Sequence, residues 1–197
     1  MSDLECLHPH HHAVQFYGSD HSLFTTVASF LAEGFVAGQP AIVVATRAHS
    51  AAIVEHLYSR LIDCDRAIRN GDLVMLDAEA TLDLFMIGET ADPHLFERNV
   101  GRLVDQAING RQRTVLRVYG EMVDVLWKQG RSEAAIKLEI LWNMLALKYN
   151  FALLCGYAMG SFYKQTKQLE EVIGQHTHVI AHDTNVVPFP PKRTRTA

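Results

Sequence analysis

The sequence predicts an α/β three-layer sandwich around a mainly parallel central sheet. Short apolar runs rich in β-branched and aromatic residues alternate with longer stretches whose apolar residues recur at helical spacing. One run, Ala41-Ile42-Val43-Val44-Ala45-Thr46, is almost wholly apolar, as a parallel strand covered on both faces should be. With 197 residues and 48% hydrophobic content, the chain has material for one sizeable core and little for two.

Each element has its own signal. Residues 1–11 are polar and histidine-rich, ending in His8-Pro9-His10-His11, and are expected to form a flexible arm. Ala13 to Tyr17 reads as a buried strand stopped by Gly18, and Leu23, Val27, Phe30, Leu31 and Phe35 mark a helix capped by Ser19, Asp20 or Ser22. Gly38-Gln39-Pro40 ends that helix before the strand from Ala41 to Thr46. His49 to Leu61 has helical period, Leu73 to Leu76 is a third strand, Ala78 to Ile87 a short helix, and Gly88 to Pro93 a loop. A helix from His94 to Ile108 leads to a fourth strand over Thr114 to Tyr119.

Helical pattern then covers Met122 to Gln129 and Ser132 to Tyr149, followed by a fifth strand from Phe151 to Tyr157. Gly160 to Gly174 reads as an amphipathic helix and His178 to Ala181 as a last strand. The domain is therefore placed at residues 12–182. From Asp183 onward, proline and basic residues outnumber apolar ones, so residues 183–197 are expected to be a disordered tail.

A net charge of −4 offers no basic footprint for direct nucleic-acid binding. Cys6, Cys64 and Cys155 lie far apart, without the paired spacing of a zinc knuckle or a disulfide framework, which fits a reducing cytoplasm. No apolar run approaches the roughly 20 residues that span a bilayer, and no secretory leader is evident. A soluble cytoplasmic protein with no membrane role is the expectation.

The first turn, Gly18-Ser19-Asp20-His21-Ser22, stands where a phosphate-loop protein holds a nucleotide. Such a loop needs glycines for close backbone approach, a lysine for the β- and γ-phosphates, and a hydroxyl for magnesium. Gly18 supplies a turn and Ser22 a hydroxyl, but His21 stands about where the lysine belongs. A histidine is neutral over much of the physiological range and is a poor permanent cation. The fourth strand, which would carry a magnesium-binding acid, reads Leu116-Arg117-Val118-Tyr119. No enzyme activity and no cofactor are expected.

Two resemblances follow. Gly38-Gln39-Pro40 before Ala41 to Val44, Asn70-Gly71-Asp72 before Leu73 to Ala78, and Arg113-Thr114-Val115-Leu116 fall where the RecA-like fold of the circadian KaiC ATPases has strands and turns. Thr46-Arg47-Ala48-His49, however, lacks that family's paired glutamates. The closer resemblance is to the MEDS sensory domain, named from methanogens, methylotrophs and the dichloromethane regulator DcmR. It rests on His12-Ala13-Val14-Gln15-Phe16-Tyr17, Arg117-Val118-Tyr119-Gly120-Glu121-Met122, Leu138-Glu139-Ile140-Leu141-Trp142-Asn143 and Leu154-Cys155-Gly156-Tyr157. This resemblance implies a degenerate RecA/KaiC-like fold and a sensor of small ligands, with hydrocarbon derivatives as the proposed class. Such domains usually adjoin a kinase or a DNA-binding output. No output domain is recognisable in this sequence, so the signal would pass through a partner, such as a histidine kinase or regulator, or through a homodimer.

The candidate ligand-binding residues are those at strand ends: Tyr17, Gly18, Ser19, Asp20, His21, Ser22, Thr46, Arg47, Tyr119, Glu121 and Tyr157, with Asp77 beside them. Strand ends followed by helix N-termini form a crevice at the carboxyl edge of a parallel sheet, where free amides attract anions or polar heads. Glu121 could accept from a ligand hydroxyl, pair with Arg117 or Arg47, or simply favour a helix N-terminus. Glu139 lies one helical turn from Trp142 and Asn143, where packing or an interface is the readier role. No metal site is expected: neighbouring His10, His11 and His12 would point to opposite faces of an extended chain, and Cys155 reads as a small core residue. The alternative functions are a degenerate nucleotide-binding module and a pure protein-interaction module.

Overall fold

A computed structural model describes residues 11–111, 114–162 and 166–180, and the backbone of 186–188. Six strands run parallel: β1 (His12–Tyr17), β2 (Ala41–Ala45), β3 (Leu73–Asp77), β6 (Leu116–Gly120), β7 (Phe151–Ala158) and β8 (His178–Ile180). A seventh, β9 (Val186–Pro188), pairs antiparallel with β8, so the order is β3-β2-β6-β7-β1-β8-β9. A two-stranded hairpin of β4 (Met86–Ile87) and β5 (Thr90–Ala91) stands apart.

Alternation along the strands builds two apolar cores. Val14, Phe16, Ile42, Val44, Val118, Leu153 and Tyr157 face α4 (Ala78–Asp83), α5 (Pro93–Ile108), α6 (Met122–Lys128), α7 (Ser132–Ala146) and α8 (Thr166–Ile173). Ala13, Tyr17, Val43, Tyr119 and Leu154 face α1 (Asp20–Val36), α2 (Arg47–Tyr58) and α3 (Cys64–Arg69). Both faces are covered, which is why β2 carries no polar alternation. The three-layer sandwich with a mainly parallel sheet stands as expected from the sequence.

Local chemistry sets the boundaries. Asp92 accepts from the Leu95 amide at 2.8 Å ahead of Pro93, so α5 starts with a side-chain cap and a proline that needs no donor. Gly38, at φ +70°, ends α1 in a left-handed turn that a side chain would strain.

Three elements differ from the sequence reading. Cys64–Arg69 forms a helix, capped by Asp63, that its short length hid. Residues 86–91 form a hairpin in place of the end of a helix and a loop. The stretch expected to be a disordered tail contains β9, whose backbone pairs with β8. The rest of that tail, and residues 1–10 of the expected arm, lie outside the described residues. His11, the last residue of that arm, holds its Nδ1 3.0 Å from His178 Nδ1.

Candidate functional site at the carboxyl edge of the sheet

Neighbouring strands send the chain to opposite faces at two places. β2 continues into α2 on one face and β6 into α6 on the other; β1 continues into α1, while the chain after β7 crosses to the opposite side. Each is a topological switch point, where open α/β sheets form their ligand crevices.

A carboxylate from the start of α6 occupies each crevice. Glu121 follows β6 directly, and its amide donates to Val44 O at 3.0 Å, which fixes it beside the end of β2. Its side chain does not cap its own helix. It accepts instead from the Thr46 amide at the start of α2, from His49 Nδ1 at 2.6 Å and from the Tyr119 hydroxyl at 3.2 Å. Asp124 fills the second crevice, accepting from the Tyr17 hydroxyl at 2.9 Å, the Ala158 amide at 3.0 Å and Lys128 Nζ at 2.7 Å. Glu121 and Asp124 are both 2% exposed, so each replaces water almost completely with protein donors.

The electrostatics follow from this burial. The hydrogen bond to Glu121 raises the His49 pKa against the opposing effect of burial. Burial, reinforced by Glu121, pushes the Tyr119 hydroxyl well above its ordinary pKa, and burial with Asp124 does the same for Tyr17. Both tyrosines therefore act as neutral donors to the carboxylates.

The sequence-predicted residues divide around this network. Tyr17, Thr46, Tyr119 and Glu121 meet in it. Gly18, Ser19, Asp20 and His21 form an exposed rim, with Asp20 Oδ1 4.0 Å from His49 Nε2 and the His21 ring 5.8 Å from that of His56. Only Gly18 and Ser19 separate β1 from α1, too short a connection to wrap a polyphosphate. Ser22 gives its hydroxyl to Ser19 O at 2.8 Å, while Ser19 Oγ caps the Ser22 amide at 3.3 Å.

Neither arginine considered as a partner for Glu121 is among the groups that bond it. Arg47 is exposed, with Nε 3.8 Å from Asp77, and Asp77 caps the Ala80 amide. Arg117 lies toward the other end of β6, with Nε donating to Gln39 at 2.7 Å and its guanidinium 4.9 Å from the Phe30 ring. Glu121 is paired with His49 instead. Tyr157 is also redirected: its hydroxyl donates to Glu139 Oε1 at 3.0 Å beneath α7. There His12, Glu139, Cys155 and His176 bring possible metal-ligating atoms within 4.8 Å of one another.

Sequence reasoning missed His49, Asp124 and Lys128. Asp124 and Lys128 carry a faint signal at i, i+4 on a short apolar helix, whereas His49 has none, because its partner is 72 residues away.

The sequence matches the MEDS family, the methanogen/methylotroph, DcmR sensory domain, over residues 11–177. This chain belongs to that family. The MEDS assignment brings with it a sensory or signalling role. No curated protein matches the chain. Among solved structures, a KaiC-like protein from the hyperthermophilic archaeon Pyrococcus horikoshii is similar in fold, with a TM-score of 0.58 and 16% identity over 95% of this chain and 82% of that one. An uncharacterized protein from Pyrococcus horikoshii, in complex with an unknown peptide, has a TM-score of 0.60 and 12% identity over 90% of this chain and 81% of that one. At these identities the likeness shows a KaiC-like fold for the MEDS domain and nothing about its chemistry. Among the described residues, no helix is long and apolar enough to cross a membrane.

Proposed function

We propose that this MEDS domain is a non-enzymatic cytoplasmic sensor that binds a small organic ligand at the carboxyl edge of the sheet and signals through a protein partner. The observation that carries the reading is the placement of Glu121 and Asp124 in the two switch-point crevices. Donors that would hold a phosphate elsewhere are taken by internal carboxylates, which repel a polyphosphate and favour a ligand that donates hydrogen bonds. An uncharged hydrocarbon derivative bearing a hydroxyl, or an amine, has the matching chemistry.

The ligand acts by population shift. Its donor takes an oxygen of Glu121 or Asp124 from Tyr119 or Tyr17, and the start of α6 adjusts. Helix α6 packs on α7, which exposes Ile140 and Met144, with the exposed Leu147 directly after its end. Met144 and Leu147 line a cleft of about 240 Å³ together with Phe96, Leu141, Leu145 and Lys148. That face suits a kinase, a regulator or a second copy of the chain. The free, buried thiols of Cys64 and Cys155 fit a reducing compartment.

Calorimetry with a panel of small alcohols, amines and nucleotides tests the reading. Binding of an alcohol or amine, weakened about tenfold by Glu121→Gln, a loss of about 1.4 kcal/mol, is the expected result. Absence of heat with every organic compound rejects the ligand assignment. Magnesium-dependent ATP turnover abolished by Ser22→Ala would favour a nucleotide-binding module instead.

A further inference from the structure

We propose that His12, Glu139, Cys155 and His176 form a buried tetrahedral site for a divalent transition-metal ion of the zinc class. The proposal departs from the expectation of no metal and lies under α7, apart from the Glu121 and Asp124 crevices.

The fold assembles the four ligands from distant pieces of chain. His12 opens β1 and Cys155 lies in β7, the parallel neighbour of β1; alternation turns both toward α7, where Glu139 occupies a wholly buried position. His176 follows α8 and is 6% exposed. His12 Nε2 lies 3.1 Å from Glu139 Oε2 and 3.3 Å from Cys155 Sγ, and Cys155 Sγ lies 3.4 Å from Glu139 Oε2. His176 Nε2 lies 3.4 Å from Glu139 Oε1. Ligand bonds of about 2.0 to 2.3 Å in tetrahedral geometry place neighbouring donor atoms roughly 3.3 to 3.7 Å apart. The spacing therefore fits a shell that closes with small side-chain rotations.

The outer nitrogens of both imidazoles are already held. His12 Nδ1 donates to Asn143 Oδ1 at 3.0 Å, an assignment fixed because the Asn143 amide nitrogen donates to Gln175 O at 2.9 Å. His176 Nδ1 donates to Val172 O at 2.7 Å. In the neutral rings these bonds leave both Nε2 lone pairs aimed at the Glu139 carboxylate, the arrangement in which metal-bound histidines are held by outer partners. His176 Nε2 is buried and makes no hydrogen bond. A cation at the centre satisfies it, and the Tyr157 hydroxyl steadies the carboxylate from behind.

The donor set selects the ion. Two imidazoles, a thiolate and a carboxylate suit zinc, and cobalt(II) as its spectroscopic substitute, far better than magnesium or calcium. Thiolate and carboxylate cancel the charge of a divalent ion, so no net charge is buried. Four protein ligands leave no open position, so the site is structural: the ion ties the chain after α8 to β1, β7 and α7.

Cobalt(II) added to the chelator-stripped full chain tests this. A single ion per chain should bind, with intense tetrahedral visible bands and a thiolate-to-cobalt band in the near ultraviolet, and zinc should displace it. Cys155→Ser should remove the thiolate band, whereas His8→Ala with His10→Ala should leave it unchanged. Zinc should also raise the melting temperature of the wild-type chain where magnesium does not, a readout that needs no core variant. Wild-type protein without a thiolate band, without a zinc-dependent shift, or with binding lost only in the His8/His10 variant overturns the assignment.

Discussion

Glu121 shows how much one buried carboxylate organises at the scale of a residue. Its bond to His49 raises that imidazole's pKa, with Asp20 reinforcing and Lys128 opposing the shift. A folded-state pKa above the unfolded value means that the stabilisation is fully present below about pH 6.5 and is lost as pH rises through the folded value. Glu121→Gln should therefore return His49 toward an ordinary titration by NMR and flatten the decline in unfolding free energy that sets in as pH rises above about 6.5. An unchanged His49 titration would show that the pair does not form in solution. Gly156 makes an independent test of the same network. A Cβ there would meet Tyr119 Oη at 3.0 Å and Leu23 Cδ1 at 3.1 Å. Gly156→Ala should cost about 1 to 3 kcal/mol in urea unfolding by forcing these groups aside.

At the scale of elements, the helices divide by what they bury. Asp92 caps the start of α5 through the Leu95 amide, so Asp92→Ala should cost about 1 kcal/mol of stability in denaturant unfolding. Helix α7 has a buried side and an exposed one. Leu141→Ala should cost about 2 to 5 kcal/mol, because Leu141 is 4% exposed. Leu147→Ser, directly after α7 at a residue 86% exposed, should change stability by less than about 0.5 kcal/mol in the same unfolding measurement. The strands and long helices were legible because their periods are local. The helix at Cys64–Arg69 and the hairpin at residues 86–91 were not: six residues and two-residue strands are too short to display a period.

At the scale of the molecule, one sheet serves both cores. Val43 faces α1 to α3 and Leu153 faces α4 to α8. Neither half can lose the sheet and persist. Val43→Ala and Leu153→Ala should each lower a single, shared unfolding transition seen by tryptophan fluorescence and circular dichroism; separate transitions would show two independent units.

The sequence by itself determined the alternation of elements, the α/β sandwich and the MEDS resemblance, because hydrophobic period and turn chemistry act over a few residues. It also placed Tyr17, Thr46, Tyr119 and Glu121 at strand ends. Only the tertiary structure decided that Glu121 turns away from Arg47 and Arg117 to His49, that Asp124 fills the second crevice, and that Tyr157 points to Glu139. It alone brought His12 together with Cys155 and His176, 143 and 164 positions further along the chain. Parallel strands are paired through crossovers, so their neighbours are set by the packing of whole helices on the sheet. No local pattern in the chain records which side chains that packing will bring together.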